Sequence, residues 1–195
     1  MSISAGCFYT VVLNHDGRLY ISGFNVNGVL AQGMRRHERC FLSIHSAGSF
    51  LKLEGSLQHW LAVDDDWRLW ACGNNHYGQL GLLEIETLFL RAVKGFSGER
   101  VASIACGLSH SLVCTAGGLL FAAGCNSDGQ LGVGDFTNRS QFVAAYNQAI
   151  NLLLFLQDVG LCDLDRTRLR SSLLVQRPDA DTLQTRCRCS EATGS

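Results

Sequence analysis

Short runs of apolar residues broken by polar turns fill the first two thirds of the chain. Tyr9 to Leu13 and Arg18 to Ser22 flank Asn14-His15-Asp16-Gly17, and Ser111 to Thr115 and Leu119 to Ala123 flank Ala116-Gly117-Gly118. β-Branched, aromatic and leucine runs bounded by Asp-Gly or Gly-Gly predict β-hairpins. Between them a poorer hairpin has Asp64-Asp65-Asp66-Trp67 where the others place a glycine. A further strand is predicted ahead of each hairpin, at Ile3 to Gly6, Phe50 to Gly55 and Val101 to Cys106.

The pattern is periodic. Gly23-Phe-Asn-Val-Asn-Gly28-Val-Leu30, Gly73-Asn-Asn-His-Tyr-Gly78-Gln-Leu80-Gly81 and Gly124-Cys-Asn-Ser-Asp-Gly129-Gln-Leu131-Gly132 are three versions of one segment, with first glycines 50 and 51 residues apart. Upstream residues match in the same register. Tyr9, His59 and His110 lie fourteen before the glycine, Leu19, Leu69 and Leu120 four before it, and Tyr20, Trp70 and Phe121 three before it. Self-similarity at such a period marks a repeat architecture. The glycines are expected to supply positive φ or close strand approach, and the leucines to fill the core beneath the turn at roughly 1.5–3 kcal/mol each. Gly23, Gly28, Gly73, Gly78, Gly81, Gly107, Gly124, Gly129, Gly132, His59, His110, Leu80 and Leu131 are therefore read as architectural positions.

Composition narrows the class. Of 195 residues 47% are hydrophobic and 17% charged, glycine numbers 21 and proline one. Many glycines without prolines fit repeated tight turns. A net charge of −1 lacks the basic excess of a nucleic-acid binder, so direct nucleic-acid contact is not expected. Nine cysteines, an odd number scattered through apolar stretches, and no basic-then-apolar start predict a reduced, intracellular chain, cytoplasmic or nuclear. No apolar run approaches the ~20 residues that cross a bilayer, so no membrane association is expected.

Gly107-Leu-Ser-His110-Ser-Leu-Val, Gly-Gly-Leu-Leu-Phe-Ala-Ala-Gly124 and Asn126-Ser-Asp-Gly129-Gln-Leu131-Gly132-Val-Gly134-Asp135 resemble the repeat of the regulator of chromosome condensation family. The resemblance covers residues 3 to 139, most closely in the third copy and least in the first, where Val29 and Ala31 replace Gln and Gly. Kelch repeats share the period but carry a double glycine in every copy, whereas Gly117-Gly118 stands alone. The resemblance implies an all-β fold, a partial β-propeller of about three four-stranded blades in an incomplete ring. The complete family domain has seven.

A fourth copy would place a glycine near position 175, which is Val175. Residues 140–195 are read as a non-repeat tail, helical over 142–159 from the apolar series Phe142, Tyr146, Ile150, Leu153 and Leu154, then irregular with a frayed end. Three blades fall short of the usual four to eight, and an open arc exposes strand edges. Three readings stay open: a shortened relative, a ring completed with another chain, or a partial product. The tail helix covering the exposed blade face, and self-association covering the open blade edges, are further expectations.

Candidate chemistry is sparse. His59 and His110 recur, but Tyr9 takes the same place in the first copy, so hydrogen bonding to backbone is expected rather than metal binding or catalysis. Ser109-His110 resembles part of a serine nucleophile site, yet adjacent strand residues point to opposite faces. Cys72, Cys106, Cys114 and Cys125 are expected as small apolar fillers. Cys187-Arg-Cys189 with Cys162 lacks paired zinc spacing. Asp64-Asp65-Asp66 reads as a solvated hairpin tip, and Arg35-Arg36-His37-Glu38-Arg39 as a solvated inter-repeat loop. No catalytic residue, metal or cofactor is expected. The expectation is a non-catalytic module that binds another protein through loops on one rim. The alternative, implied by the resemblance, is guanine-nucleotide exchange on a Ran-like small GTPase. In the family that activity depends on a wedge and an acidic rim. No residue here aligns with the wedge, so no functional residue is carried over.

Overall fold

A computed structural model describes residues 1–45, 48–96 and 98–145. They form three four-stranded antiparallel sheets, each a meander in chain order. Blade 1 comprises β1 (Ser2–Ala5), β2 (Tyr9–Leu13), β3 (Leu19–Gly23) and β4 (Glu38–Ser43). Blade 2 comprises β5 (Phe50–Gly55), β6 (His59–Asp64), β7 (Leu69–Asn74) and β8 (Glu86–Ala92). Blade 3 comprises β9 (Val101–Cys106), β10 (His110–Thr115), β11 (Leu120–Gly124) and β12 (Arg139–Ala144). A short 3-10 turn, Val26–Gly28, follows β3.

The period in the sequence is a period in space. Tyr9 pairs with Gly23, His59 with Gly73 and His110 with Gly124 across the central hairpin of each blade. At the same glycines the ladder to the outermost strand shifts register in all three sheets, a β-bulge that turns the chain toward the rim loop. The three have φ of 122°, 109° and 113°. A Cβ there would run into the carbonyl oxygens of Phe8, Gln58 and Ser109. Those carbonyls accept from Phe24, Asn74 and Cys125 amides at 2.7, 2.9 and 2.8 Å. Gly124→Val is therefore expected to destabilise the protein by more than about 1 kcal/mol, read as a lowered midpoint in chemical denaturation; an unchanged midpoint contradicts this role.

The hairpin tips repeat as well. Asn14, Asp64 and Thr115 accept, through their side chains, the amides of Arg18, Arg68 and Leu119 at 2.8, 2.8 and 3.2 Å. Asp64 is thus not part of a solvated tip. It is 5% exposed, and its second carboxylate oxygen accepts from Trp70 Nε1 at 2.8 Å, while Asp65 and Asp66 are exposed. Trp67 takes φ of 63° where Gly17 and Gly118 have 74° and 84°.

Apolar clusters lie between neighbouring blades. One joins Tyr9, Val11, Leu13, Leu19, Ile21 and Leu30 of blade 1 to Phe50, Leu53, Trp60, Ala62 and Cys72 of blade 2. The other joins Leu61, Val63, Leu69, Ala71 and Leu80 of blade 2 to Val101, Ile104, Val113 and Ala123 of blade 3. Side chains alternate along a strand, so each blade has a rear face toward the next blade and a front face toward the previous one.

Two expectations at the margins are corrected. Residues 139–144 form β12, whose Val143 and Ala144 pair with Ala122 and Phe121. Blade 3 thus continues past 139, and the helix expected from 142 does not begin there. Phe142 packs on Phe96 instead; a short apolar series suits strand and helix alike. The remainder of that helix and the tail to 195 lie outside the described residues, as do Cys162, Cys187 and Cys189. Arg35 to His37 lie in the loop inside blade 1, and Glu38 and Arg39 in β4, so the basic run is not an inter-repeat loop. Arg35 pairs with Glu86 of blade 2.

Candidate functional site

In an antiparallel meander the first and third loops of each blade emerge on one rim, and the second loop and inter-blade connections on the other. The two rims differ. On the first, Phe8, Phe24, Val26, Met34, Leu57, Tyr77, Leu83, Ile85, Leu108 and Phe136 are exposed, with Phe8, Leu83 and Leu108 at 65%, 79% and 64%. Phe8 and Phe24 meet edge to face at 6.2 Å, and the His37 ring stacks on Phe24 at 3.7 Å. Among the described residues, the strand-connecting loops of the second rim expose no large hydrophobic side chain. They carry Asp16, Arg18, Asp65, Asp66, Arg68, Lys94, Glu99 and Arg100. Scattered apolar residues are ordinary on a surface, but a group on one side marks an interaction face.

A buried asparagine holds each third loop in place. Asn25, Asn75 and Asn126 are all buried. Their Oδ1 atoms accept the amides of Leu30, Leu80 and Leu131 at 3.0, 2.7 and 3.0 Å. Their Nδ2 groups donate to the carbonyls of Met34 at 2.5 Å, Leu82 at 2.7 Å and Asp135 at 2.7 Å. One side chain thus ties the loop base to both its middle and its far end. These three residues recur two positions after each periodic glycine, and Asn126 stands in the motif that carries the family resemblance, yet none was expected as a structural position. Leu80 and Leu131 are buried beneath the turns. Gly28 and Gly78 leave room for Leu88 of β8 and Ser140 of β12, and Gly81 for the ring of Phe142.

The recurring histidines are interior joints. His59 is fully buried, and its Nε2 lies 2.9 Å from Ser111 Oγ of the next blade, so its partner is a side chain rather than the expected backbone. Its Nδ1 is buried without a partner. Burial, and then the nearby His110, hold its pKa down to about 4. Tyr9 occupies the same place in blade 1 and donates to the carbonyls of Ser56 and His59 at 2.8 Å each; burial raises its pKa. His110 is half-buried, and that burial lowers its pKa. Gly107 sits against the His110 ring, with no room for a Cβ.

Among the cysteines, Cys72 is buried and Cys106 has its thiol pushed up to about 12 by burial. Cys125, at the base of the apolar rim, has its thiol lowered by the Ser127 backbone amide. Among the described residues no three His, Cys, Asp or Glu side chains gather to hold a metal. No helix among them is long and apolar enough to cross a membrane.

Comparison with known proteins agrees with this geometry. The family model described as the regulator of chromosome condensation (RCC1) repeat matches residues 68–114, and a second model of the same repeat matches 101–130. The X-linked retinitis pigmentosa GTPase regulator of Canis lupus familiaris is 43% identical over 86 residues, 44% of this chain and 9% of its own. The secretion-regulating guanine nucleotide exchange factor of Bos taurus is 34% identical over 122 residues, 59% of this chain and 26% of its own. This chain therefore spans a tenth to a quarter of those curated relatives. The crystal structure of Prp20p from Saccharomyces cerevisiae, whose binding to Gsp1p and histones is described with it, superposes with a TM-score of 0.66 over 76% of this chain and 38% of Prp20p, at 16% identity. With three meander blades in one register, a shared periodic turn and these matches, the chain belongs to the proteins built from regulator of chromosome condensation repeats and folds as part of their β-propeller.

Proposed function

We infer that the chain is a non-catalytic protein-interaction module, working in the cytoplasm or nucleus, that binds a protein partner through the rim bearing Phe8, Phe24, Leu57, Tyr77, Leu83 and Leu108. The carrying observation is the contrast between that apolar rim and the charged loops opposite. Strands held by two apolar clusters present these loops with little freedom left to lose, which lowers the entropic cost of recognition. Exposed aromatic side chains such as Phe8, Phe24 and Tyr77, with Met34 beside them, suit the centre of a protein interface.

The double variant Phe8→Ser/Leu108→Ser is expected to abolish capture of partner proteins by the immobilised chain while leaving thermal unfolding unchanged. Asp65→Ala/Lys94→Ala on the other rim is expected to retain capture. Equal capture by both variants contradicts the assignment of the rim.

A second reading, nucleotide exchange on a Ran-like small GTPase, is favoured by the likeness to the bovine exchange factor and by the fold shared with Gsp1p-binding Prp20p. Release of labelled nucleotide from such a GTPase separates the two readings. Acceleration by the purified chain establishes exchange; unchanged release alongside partner capture leaves the interaction module.

A further inference from the structure

Two hairpin tips on the charged rim differ at one residue that the fold does not require. They read Asp16-Gly17-Arg18 in blade 1 and Asp66-Trp67-Arg68 in blade 2. Both tips join the next blade through the same backbone bond, in which the carbonyls of Gly17 and Trp67 accept the Phe50 and Val101 amides at 2.8 and 3.1 Å. The middle residue is left-handed in each, with φ of 74° and 63°. Glycine adopts that conformation freely, whereas a bulky side chain there is an outlier that costs about 1–3 kcal/mol. Residues strained in this way cluster at ligand-binding positions. The joint needs only the carbonyl, so the indole is surplus to it. Nor does the indole serve the core, because it is half-buried and belongs to neither apolar cluster. The N–H groups of Trp60 and Trp70 donate to Val29 and Asp64, but that of Trp67 meets no acceptor among the described residues.

Trp67 instead lines a cleft of about 360 Å³ between blades 2 and 3, at the lower end of the size of ligand sites. The floor is apolar and buried, formed by Leu69, Val93, Phe96 and Val101. The mouth is cationic. Arg68, Lys94 and Arg100 are exposed there, and Lys94 and Arg100 have no ion pair among the described residues. Of the two carboxylates beside them, Asp66 pairs with Arg68 at 3.0 Å and Glu99 lies against Gly117 of blade 3. Two uncommitted cations thus stand over an apolar floor beside an aromatic side chain. That combination suits a flat apolar ring with an anionic group on its edge. Arginine and lysine both hold phosphate, arginine through two parallel N–H donors. The mouth is open along the rim, so a ring can enter while the chain that carries it stays outside.

We propose that this cleft is a second binding site, for a phosphotyrosine side chain of a partner protein, with the ring between Trp67 and the apolar floor and the phosphate on Lys94 and Arg100. It lies on the rim opposite the apolar one, and capture by the apolar rim needs no phosphate. The two sites therefore act independently, and loss of Lys94 affects this one alone.

Calorimetric titration of the full chain with a pentapeptide of phosphotyrosine flanked by glycines isolates the ring and its phosphate. Saturable binding is expected, at least about tenfold tighter than that of the same peptide carrying plain tyrosine or phosphoserine. Arg100→Gln keeps the backbone carbonyl that accepts the Ala116 amide and is expected to weaken binding about tenfold. Trp67→Gly gives blade 2 the tip of blade 1, so the fold is kept while binding falls about tenfold. Phe8→Ser on the apolar rim changes nothing in this titration. No binding of the phosphotyrosine peptide overturns the proposal, as does equal binding of the tyrosine or phosphoserine peptide. AMP binding more tightly than the peptide also overturns it, because the cleft would then take a nucleotide. If Trp67→Gly loses its β-sheet circular dichroism, Arg100→Gln and Lys94→Ala decide by the same titration, and binding equal to the parent's in both overturns the proposal.

Discussion

Trp60→Ala is expected to lower the free energy of unfolding by about 3–5 kcal/mol, the usual range for removing a large buried aromatic side chain. Trp60 is wholly buried between blades 1 and 2, and its indole N–H donates to the Val29 carbonyl at 2.7 Å. Alanine leaves both a void among Tyr9, Val11, Ile21 and Leu53 and a buried carbonyl without its donor. Trp60→Phe separates these contributions, because it keeps most of the volume and loses only the N–H. Its expected cost is about 1–3 kcal/mol. Urea unfolding of the three proteins measures both. An alanine variant within about 1 kcal/mol of the parent would mean that the first inter-blade cluster does not stabilise the fold as its packing implies.

The second large effect is a loss of stability in acid centred on His59. The imidazole ring is held down to about 4 in the fold, chiefly by burial, against about 6.5 in the unfolded chain. Between those values the unfolded state binds a proton that the folded state refuses. Stability is therefore fully present above about pH 6.5 and falls as the pH drops toward 4, by about 3 kcal/mol in total. A charged ring would have a buried Nδ1–H with nothing to accept it. His59→Gln can still reach Ser111 but does not titrate. The difference in unfolding free energy between parent and variant should narrow as the pH falls from 7 to 4. A gap constant over that range would show that His59 is not the titrating group. His110 acts in the same direction because burial lowers its pKa too.

The hairpins were legible because their signals are local. β5 and β9 coincide with the expected strands, and the strands of the hairpins agree to within one residue. The periodic glycines were legible because a bulge with φ near 110° admits few other residues. The outermost strands β4, β8 and β12 were not identified residue by residue. They lie at the sheet margin with mixed exposure along their length, so no strict alternation is imposed on them. Arg35 to Arg39 consequently read as one charged loop, and Phe142 as the start of a helix. The buried asparagines were hidden for a different reason: Asn is a common turn former, and its burial follows only when the loop folds back over it. The His59–Ser111 bond joins residues 52 apart. It becomes visible only once the repeat register is carried from one blade to the next.

The clasp formed by Asn25, Asn75 and Asn126 separates the base of each third loop from its crown. Since the buried amide satisfies the backbone on both sides, the exposed residues between those anchor points owe little to the sheet below. Randomising exposed crown residues of all three loops, with the asparagines, leucines and turn glycines kept, should give a library whose members mostly fold alike. The blades would then serve as a chassis for selecting new binding specificities.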